Sequence, residues 1–262
     1  MLDEALYLAQ TGVRELVLVS ENSTSYGKDL GDIRLLEKLL PALGSIEGIE
    51  WVRASYLQPA EIRPDLLRVI AQTPGVAPYF DLSFQHASPS VLRRMRRFGG
   101  SDAFLELLAT ARGYNPEAGA RTNVIVGFPG ETEQDVEILV DFIASAGLDA
   151  IGVFPYSDED GTEAFELDGH LSEAEIADRF AHVSRVAERA TLERASRRVG
   201  TRVRVLIEED DNVGRGAHQG PETDGQTVVY AERVLQPGEI VDAVVTGTDG
   251  VDLIADIVAA GQ

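Results

Sequence analysis

Short apolar runs alternate with segments of helical period along most of the chain. Several of these runs are rich in Val, Ile and Leu and lack the strict apolar–polar alternation of a sheet with one solvated face. Such runs are typical of parallel strands that are covered on both sides. The pattern predicts five strands, at residues 14–21, 50–57, 78–85, 121–128 and 150–157.

Helical periodicity fills the gaps between these strands. One helix is predicted from Ile33, Leu36, Leu40 and Leu43, and another from Val136, Leu139, Val140 and Ile143. The second opens with a capping sequence, Thr132 followed three residues later by Asp135, and Ser88 before Pro89 predicts a further helix start. Repeated β–α units predict a parallel sheet, open or closed into a barrel, with functional groups at the carboxyl ends of its strands.

The pattern changes after a long helix that begins at Ser172, has Glu175 as its capping acid, and ends by Gly200. Beyond it only strands and turns are predicted, with strands at residues 201–210, 227–234, 239–248 and 251–258. This arrangement is typical of a small all-β barrel of the OB-like type. We therefore expect a β/α part at residues 1–171, a linker helix at 172–199 and a second domain at 200–262.

Composition indicates a packed globular protein, with 44% hydrophobic and 26% charged residues. No apolar run approaches the roughly 20 residues that span a bilayer. The first twelve residues form an acidic amphipathic pattern, not a signal peptide. We expect a cytoplasmic monomer that does not contact membranes.

Charge and cysteine content narrow the choice of partners. The formal net charge is −21, which opposes binding to nucleic-acid phosphates and favours a basic protein partner. The alternative is that acidity only keeps the protein in solution or reflects a salt-adapted host. There is no cysteine, and the four histidines are scattered, so this chain offers no thiolate metal site.

Polar side chains follow the predicted strands. Glu21 and Asn22 end the first strand, Ser55 lies near the end of the second, and Gln85 and His86 end the third. Because parallel β–α units present their post-strand loops on one side, we expect these residues to converge on one cleft. For His86, the alternative is a hydrogen-bonded histidine in a capped turn.

The segment RTNVIVGFPGETEQD (121–135) places Gly127, Pro129 and Gly130 between a strand and a capped helix. Backbone amides there could approach a nucleotide closely, although a plain β–α turn is the alternative. The arginines of VLRRMRR (91–97) are interpreted as a solvated helix face.

Taken in order, several segments resemble the RimO branch of the radical-SAM methylthiotransferases, from about Glu4 onward. They are VLVSENSTSYG, DLSFQHASPSVLRRMRR, RTNVIVGFPGETEQD, GVFPYSDEDGT and GRGAHQGPETDG. The resemblance implies an α/β fold: a partial radical-SAM (TIM-like) β/α barrel that lacks its first strand, followed by a small all-β TRAM (OB-like) barrel. Two departures are LSFQH at residues 82–86, where the family usually reads IPLQH, and the less acidic turn GRGAHQGPETDG.

The resemblance also implies an activity, a transferase reaction that adds a methylthio group to an aspartate β-carbon of small-subunit ribosomal protein twelve. S-adenosyl-L-methionine (SAM) and 4Fe-4S clusters are the implied cofactors, and that basic ribosomal protein is the implied partner. The related MiaB branch modifies an adenosine in tRNA. Residues 200–262 carry twelve acids against four arginines, a net charge of −8, which makes tRNA the less expected partner.

The same resemblance assigns roles to particular residues. Gln85 and His86 match positions near the reaction centre. The positions that match the SAM-binding segments are Glu21 and Asn22 near the methionyl group, Ser55 near the ribose, and Gly127, Phe128 and Pro129 against the adenine.

One departure concerns the chemistry. The family carries a C-x-x-x-C-x-x-C loop after the first barrel strand, and a second cluster in a preceding domain, whereas this chain has no cysteine. We expect a chain that corresponds to an N-terminally truncated relative, with an open edge at its first strand and no catalysis on its own. A non-catalytic protein-binding module and a tRNA-modifying relative are the alternatives.

Overall fold

The first part of the chain folds as alternating strands and helices. The computed structural model describes residues 1–258, so the last four residues of the predicted second domain lie outside the described part. Strand pairing in this part is parallel. The five predicted strands are confirmed, with the bounds Glu15–Leu18 (β1), Trp51–Ala54 (β2), Tyr79–Gln85 (β3), Gly119–Val126 (β4) and Ala150–Pro155 (β5).

These strands form two hydrogen-bonded groups. β1 pairs with β2, and β3, β4 and β5 form a three-stranded sheet. Single parallel bridges, Val52 to Val76 and Leu57 to Leu82, connect the two groups. Within residues 1–258 the other edge of β1 has no strand partner. Val17 and Val19 are exposed beside it.

Helices alternate with the strands along the chain. Thr132 and Ser172 begin α6 and α7 with capping boxes, as predicted, because each hydroxyl accepts the backbone N–H three residues on. Ile33 is an exception to the predicted pattern, since it precedes α2 and is exposed. In the part of the chain described, no helix is both long and apolar enough to cross a membrane. The bounds are Leu2–Gln10 (α1), Leu35–Gly44 (α2), Pro64–Gln72 (α3), Pro89–Arg94 (α4), Ser101–Tyr114 (α5), Glu133–Ala146 (α6) and Glu173–Ser196 (α7).

The main core lies between the strands and the helices. Phe84 of β3 packs on Phe104 of α5 and Phe142 of α6, with ring centroids 4.3 and 5.3 Å apart. Each fully buried side chain of this size stabilises the fold by about 1.5–3 kcal/mol. Helix α7 belongs to the same core through the buried Val183 and Ala187. The helix predicted to link the two parts therefore also covers the sheet.

The second part is a closed five-stranded barrel with a core of its own. Four of its strands are predicted from the sequence, and β7 is not, because its sequence VGRG is half glycine. In space the strands follow the order β10, β8, β7, β6, β9. The bounds are Arg202–Glu209 (β6), Val213–Gly216 (β7), Thr227–Tyr230 (β8), Ile240–Asp249 (β9) and Asp252–Ile257 (β10).

The five-stranded barrel contacts the first part of the chain through residues 214–225, the segment GRGAHQGPETDG. This segment lies at the amino ends of the parallel strands. Arg53 of β2, fully buried, donates to the carbonyl of Ala217 at 3.0 Å. The hydroxyl of Tyr79 in β3 donates to the buried carboxylate of Asp224. Segment 214–225 therefore closes the base of the sheet, opposite the carboxyl ends where the predicted site lies.

Buried charges line this base. Arg53 and Arg215 both contact the carboxylate of Glu15, at 2.8 and 2.6 Å. Burial, followed by the proximity of Arg198, lowers the pKa of His218 to about 3, so this histidine is neutral. Each buried charge therefore has an opposite partner, as burial of ionised groups requires.

Candidate functional site

Two adjoining clefts open at the carboxyl ends of the strands. One, of about 360 Å³, is bordered by Asn22, and the other, of about 320 Å³, by Gln85 and Phe128. Residues 95–97 border both clefts, so the two lie side by side. The structure therefore brings three of the predicted site residues to one end of the sheet.

Asn22 lies directly after β1, next to a short 3-10 helix at Ser23–Ser25. Its side-chain nitrogen donates to Glu61 at 3.2 Å, while its oxygen is buried without a hydrogen-bond partner among the described residues. Glu21 is exposed and Ser55 half-buried, and neither borders the two clefts. Of these three residues, Asn22 is the one with an unused polar atom at the cleft.

Gln85 takes its position from an irregularity in β3. The pairing with β4 shifts register between Leu82 and Gln85, because the hydroxyl of Thr122 lies between the strands. That hydroxyl donates to the carbonyl of Leu82 at 2.5 Å and accepts from the amide of Phe84 at 3.2 Å. Gln85 adopts a φ of +66°, uncommon outside glycine, which directs the strand end toward the cleft.

His86 is fully buried, and its ring faces a neighbouring loop instead of the cleft. Its Nδ1 accepts from the amide of Ser88 at 2.9 Å, which fixes the orientation of the ring. Nε2 lies 3.3 Å from a carboxylate oxygen of Glu131. In this position His86 does not border the two clefts, and it contacts the loop at residues 127–131 from the interior.

The loop at residues 127–131 is held from within by Glu131. Its buried carboxylate accepts from the amide of Gly127 at 3.0 and 3.1 Å. Arg179 of α7 donates to the same carboxylate at 2.8 Å. The Gly127 amide, expected to be free to approach a nucleotide, is therefore already engaged. Phe128 is the part of this loop that borders the cleft.

Two glycines in this loop are required by its close neighbours. Gly127 has a φ of +80°, and a Cβ there would lie 2.7 Å from Ile176 of α7. Gly130 has a φ of +81°, and a Cβ there would lie 2.6 Å from the guanidinium of Arg94. Side chains are excluded at both positions by φ and by space.

The arginines of VLRRMRR are a solvated face only in part: Arg93 and Arg96 are exposed, whereas Arg94 and Arg97 are half-buried. Arg94 donates to the carbonyl of Pro129 at 2.7 Å and to the carboxylate of Asp168 at 2.6 Å. Arg96 contacts Glu163 at 2.7 Å across the mouth of the second cleft. These contacts attach the acidic loop at residues 157–170 to the rim of the site.

Four contributors to the site were not predicted from the sequence. Thr122, Glu131 and Arg179 act through partners that are distant along the chain, for example 48 residues between Glu131 and Arg179. Glu131 directly follows Gly130, and this position after a glycine turn is the sequence feature that could have indicated its contact with the turn's backbone. Arg94 was grouped with its neighbours because its partners are invisible in a local pattern.

The described residues do not fit an iron–sulfur cluster. Such clusters are held by cysteine thiolates, and the chain has none. Within residues 1–258 no group of three or more His, Asp or Glu side chains is placed to hold a metal ion either. Thiolate ligands for a cluster would have to come from outside these residues.

A parallel β/α layer with polar strand ends, joined to a closed five-stranded barrel, is the arrangement of a partial radical-SAM barrel with a TRAM domain. The radical SAM superfamily matches residues 1–143, and the TRAM domain matches residues 199–258. The chain belongs to the radical SAM superfamily.

Its relatives specify the branch. It is 58% identical to the ribosomal protein uS12 methylthiotransferase RimO of Streptomyces griseus subsp. griseus, over 98% of this chain and 53% of that protein. It is 59% identical to the same enzyme of Salinispora tropica, over 97% of this chain and 52% of that protein. The expected resemblance to RimO-type methylthiotransferases is confirmed, and the chain spans about half the length of these curated relatives.

A solved structure supports the fold. Coproporphyrinogen III oxidase (HemN) from Escherichia coli, a radical SAM enzyme, matches with a TM-score of 0.57 and 18% identity. The match covers 72% of this chain and 44% of that one. At this identity the likeness concerns the fold alone, and it confirms the predicted fold class.

Proposed function

We propose that the chain is the barrel and TRAM portion of a methylthiotransferase that adds a methylthio group to an aspartate β-carbon of ribosomal protein uS12. The observation that carries this proposal is the identity of 58–59% to RimO enzymes over nearly the whole chain. We also propose that residues 1–171 form the partial barrel, residues 172–199 the linker helix and residues 200–262 the TRAM domain. The protein is proposed to be a cytoplasmic monomer.

The cleft suits the nucleoside part of SAM. The second cleft, of about 320 Å³, offers an aromatic ring from Phe128, an apolar side chain from Ile125 and an amide from Gln85. The oxygen of Asn22, buried and without a partner among the described residues, is the acceptor that we propose beside the adjoining cleft. Arg94, Arg96, Arg97 and Glu163 also line the second cleft, so polar groups that can orient a ligand stand beside the apolar ones. Glu21, Ser55, Gly127 and Pro129 complete the proposed set.

This chain by itself should not cleave SAM. In this family the electron that cleaves SAM comes from a cluster, and no residue of this chain can ligate one. After anaerobic reconstitution we expect neither iron nor sulfide in the protein, and no 5′-deoxyadenosine in a reductive assay. Detectable 5′-deoxyadenosine from this chain alone would contradict the proposal.

A basic protein suits the TRAM surface better than RNA does. A groove of about 600 Å³ on this barrel is bordered by Glu208, Glu209, Glu222 and Asp252. Carboxylates attract a basic ribosomal protein and repel tRNA phosphates. Parallel binding measurements with uS12 and tRNA separate this proposal from the tRNA-modifying alternative.

The second candidate is a module that binds uS12 and catalyses no reaction. The absence of cysteine from the chain favours this candidate. The two candidates differ in a mixed assay. Adding the cluster-bearing region of a RimO relative should restore methylthiolation if this chain is a catalytic portion, and should have no effect on a module that only binds.

A further inference from the structure

Glu131 occupies an unusual position among the acids of this chain. Its side chain is fully buried, whereas most of the acids of this protein lie at the surface. It accepts hydrogen bonds from the amide of Gly127 after β4 and from the guanidinium of Arg179 in α7, and it lies 3.3 Å from Nε2 of His86 after β3. The carboxylate therefore joins three separate parts of the fold at one point.

The charges at this point balance without a ligand. Arg179, mostly buried, supplies the positive charge that a buried carboxylate requires. The ring of His86 is oriented by the amide of Ser88, which donates to its Nδ1 at 2.9 Å. The carboxylate is thus held by Gly127 and Arg179, and Nε2 of His86 lies 3.3 Å from it without forming a hydrogen bond.

The residues that Glu131 contacts are neighbours, along the chain, of residues that border the cleft. Gln85, which borders the second cleft with a φ of +66°, directly precedes His86. Phe128, on another side of the same cleft, directly follows Gly127. One carboxylate therefore fixes the residues adjacent to both Gln85 and Phe128.

We propose that Glu131, with His86 and Arg179, is a positioning residue that sets the spacing of Gln85 and Phe128 across the cleft. Glu131 does not border the cleft and acts through its partners. A small displacement of positioning groups is enough to weaken binding or catalysis. The consequence for ligand binding rests on the proposed function, that the cleft takes the nucleoside part of SAM.

A purely structural role makes a different forecast. If the contacts of Glu131 only stabilised the fold, their loss would lower the unfolding midpoint and leave the cleft of the still-folded protein unchanged. A positioning role also requires the resonances of Gln85 and Phe128 to move together in the folded protein. The two roles are therefore separated by amide spectra of the native state.

The test uses Glu131→Gln, which keeps the size of the side chain and removes its charge, and Arg179→Lys, which keeps the charge and removes the planar fork. Glu137→Gln, at an exposed position of α6, is the matched control. Amide spectra of the folded variants are recorded, and each protein is titrated with S-adenosylhomocysteine. Arg179→Lys serves as the measured variant if Glu131→Gln does not fold.

We expect Glu131→Gln to shift the amide resonances of Gly127, Phe128, Gln85 and His86, and to weaken S-adenosylhomocysteine about tenfold, or about 1.4 kcal/mol. Arg179→Lys should shift the same resonances less, and Glu137→Gln should shift none. A change confined to Gly127, with Gln85 unmoved, would overturn the proposal. So would S-adenosylhomocysteine binding equal to that of the control.

The two failures are distinguishable. If the unmodified chain binds no S-adenosylhomocysteine, the assignment of the cleft is wrong, and the positioning role is decided by the joint shift of Gln85 and Phe128 alone. If the ligand binds the unmodified chain and both variants equally, the cleft assignment stands and the positioning role is wrong.

Discussion

At the scale of single residues, the site depends on backbone conformations that few side chains allow. Gln85 holds a φ of +66° after a register shift, and Gly127 holds a φ of +80° against α7. Both conformations are kept by tertiary contacts, the first by the hydroxyl of Thr122 and the second by Glu131. Such positions should tolerate substitution poorly.

Replacing Gly127 by alanine tests this directly. The new Cβ would lie 2.7 Å from Ile176 in a conformation that disfavours a side chain, so the free energy of unfolding should fall by about 1–3 kcal/mol. Gly113→Ala is the control, because nothing lies within 4 Å of a Cβ there. In the helix α5 that change should stabilise by about 0.4–1 kcal/mol. Equal effects in urea unfolding would contradict the account of this loop.

At the scale of elements, Asp135 connects the start of α6 to the start of α4. Thr132 donates to its carboxylate from both the backbone amide and the hydroxyl, at 2.9 and 2.6 Å, and Ser88 and Ser90 donate to its other oxygen. Although burial opposes it, hydrogen bonds from Ser88, Ser90 and Thr132 lower the pKa of Asp135 to about 2.

This shift predicts a pH dependence of stability. Between about pH 4 and pH 2 the unfolded chain binds the proton more readily than the folded one, so the free energy of unfolding falls as the pH falls through this window. Asp135→Asn should have a lower free energy of unfolding at neutral pH. Between about pH 4 and pH 2 its free energy of unfolding should change less with pH than that of the unmodified protein. Asp141→Asn, at an exposed position of the same helix, should keep the slope of the unmodified protein. Parallel curves for Asp135→Asn and the unmodified protein would contradict this role.

Elements with a strong local signal were predictable from the sequence, and the contacts between them were not. The five parallel strands and the capping boxes at Thr132 and Ser172 follow from periodicity and capping chemistry. Strand β7 was missed because glycine gives no strand signal. The inward turn of His86 and the role of Glu131 depend on α7, which packs there only in the folded chain.

At the scale of the whole molecule, the β/α part and the closed five-stranded barrel are joined by a buried interface. Trp51, the single tryptophan of the chain, packs with Tyr79 and with Leu206 of the second barrel. Its fluorescence therefore reports on this interface. Because polar and apolar contacts cross here together, we expect Trp51 fluorescence and circular dichroism to show one coincident unfolding transition.

Tyr79→Phe should weaken that interface. The change removes a donor to the buried Asp224, which keeps the amide of Gly220 at 3.0 Å, the hydroxyl of Thr223 at 3.1 Å and the guanidinium of Arg121 at 3.4 Å. Loss of a hydrogen bond to a buried charged group costs about 1–3 kcal/mol. Tyr7→Phe, at an exposed tyrosine, should have no effect. An unchanged urea midpoint for Tyr79→Phe would contradict the structural role of segment 214–225.

The net charge of −21 is the property of the whole molecule on which the proposed choice of partner rests. Attraction between exposed charges is screened over about 10 Å at 0.1 M salt and about 3 Å at 1 M salt. Binding of a basic protein to this acidic molecule should therefore weaken steeply as salt is added. Glu222→Lys, in the TRAM groove, should weaken it more than Glu193→Lys, which makes the same change of charge on α7.

The most direct measurement is a titration of the purified chain with labelled uS12 and with labelled tRNA, each at low and at high salt. We predict that uS12 binds at low salt, loses at least about tenfold in affinity at high salt, and is bound more tightly than tRNA under both conditions. Tighter binding of tRNA than of uS12, or uS12 binding that does not change with salt, would contradict the account.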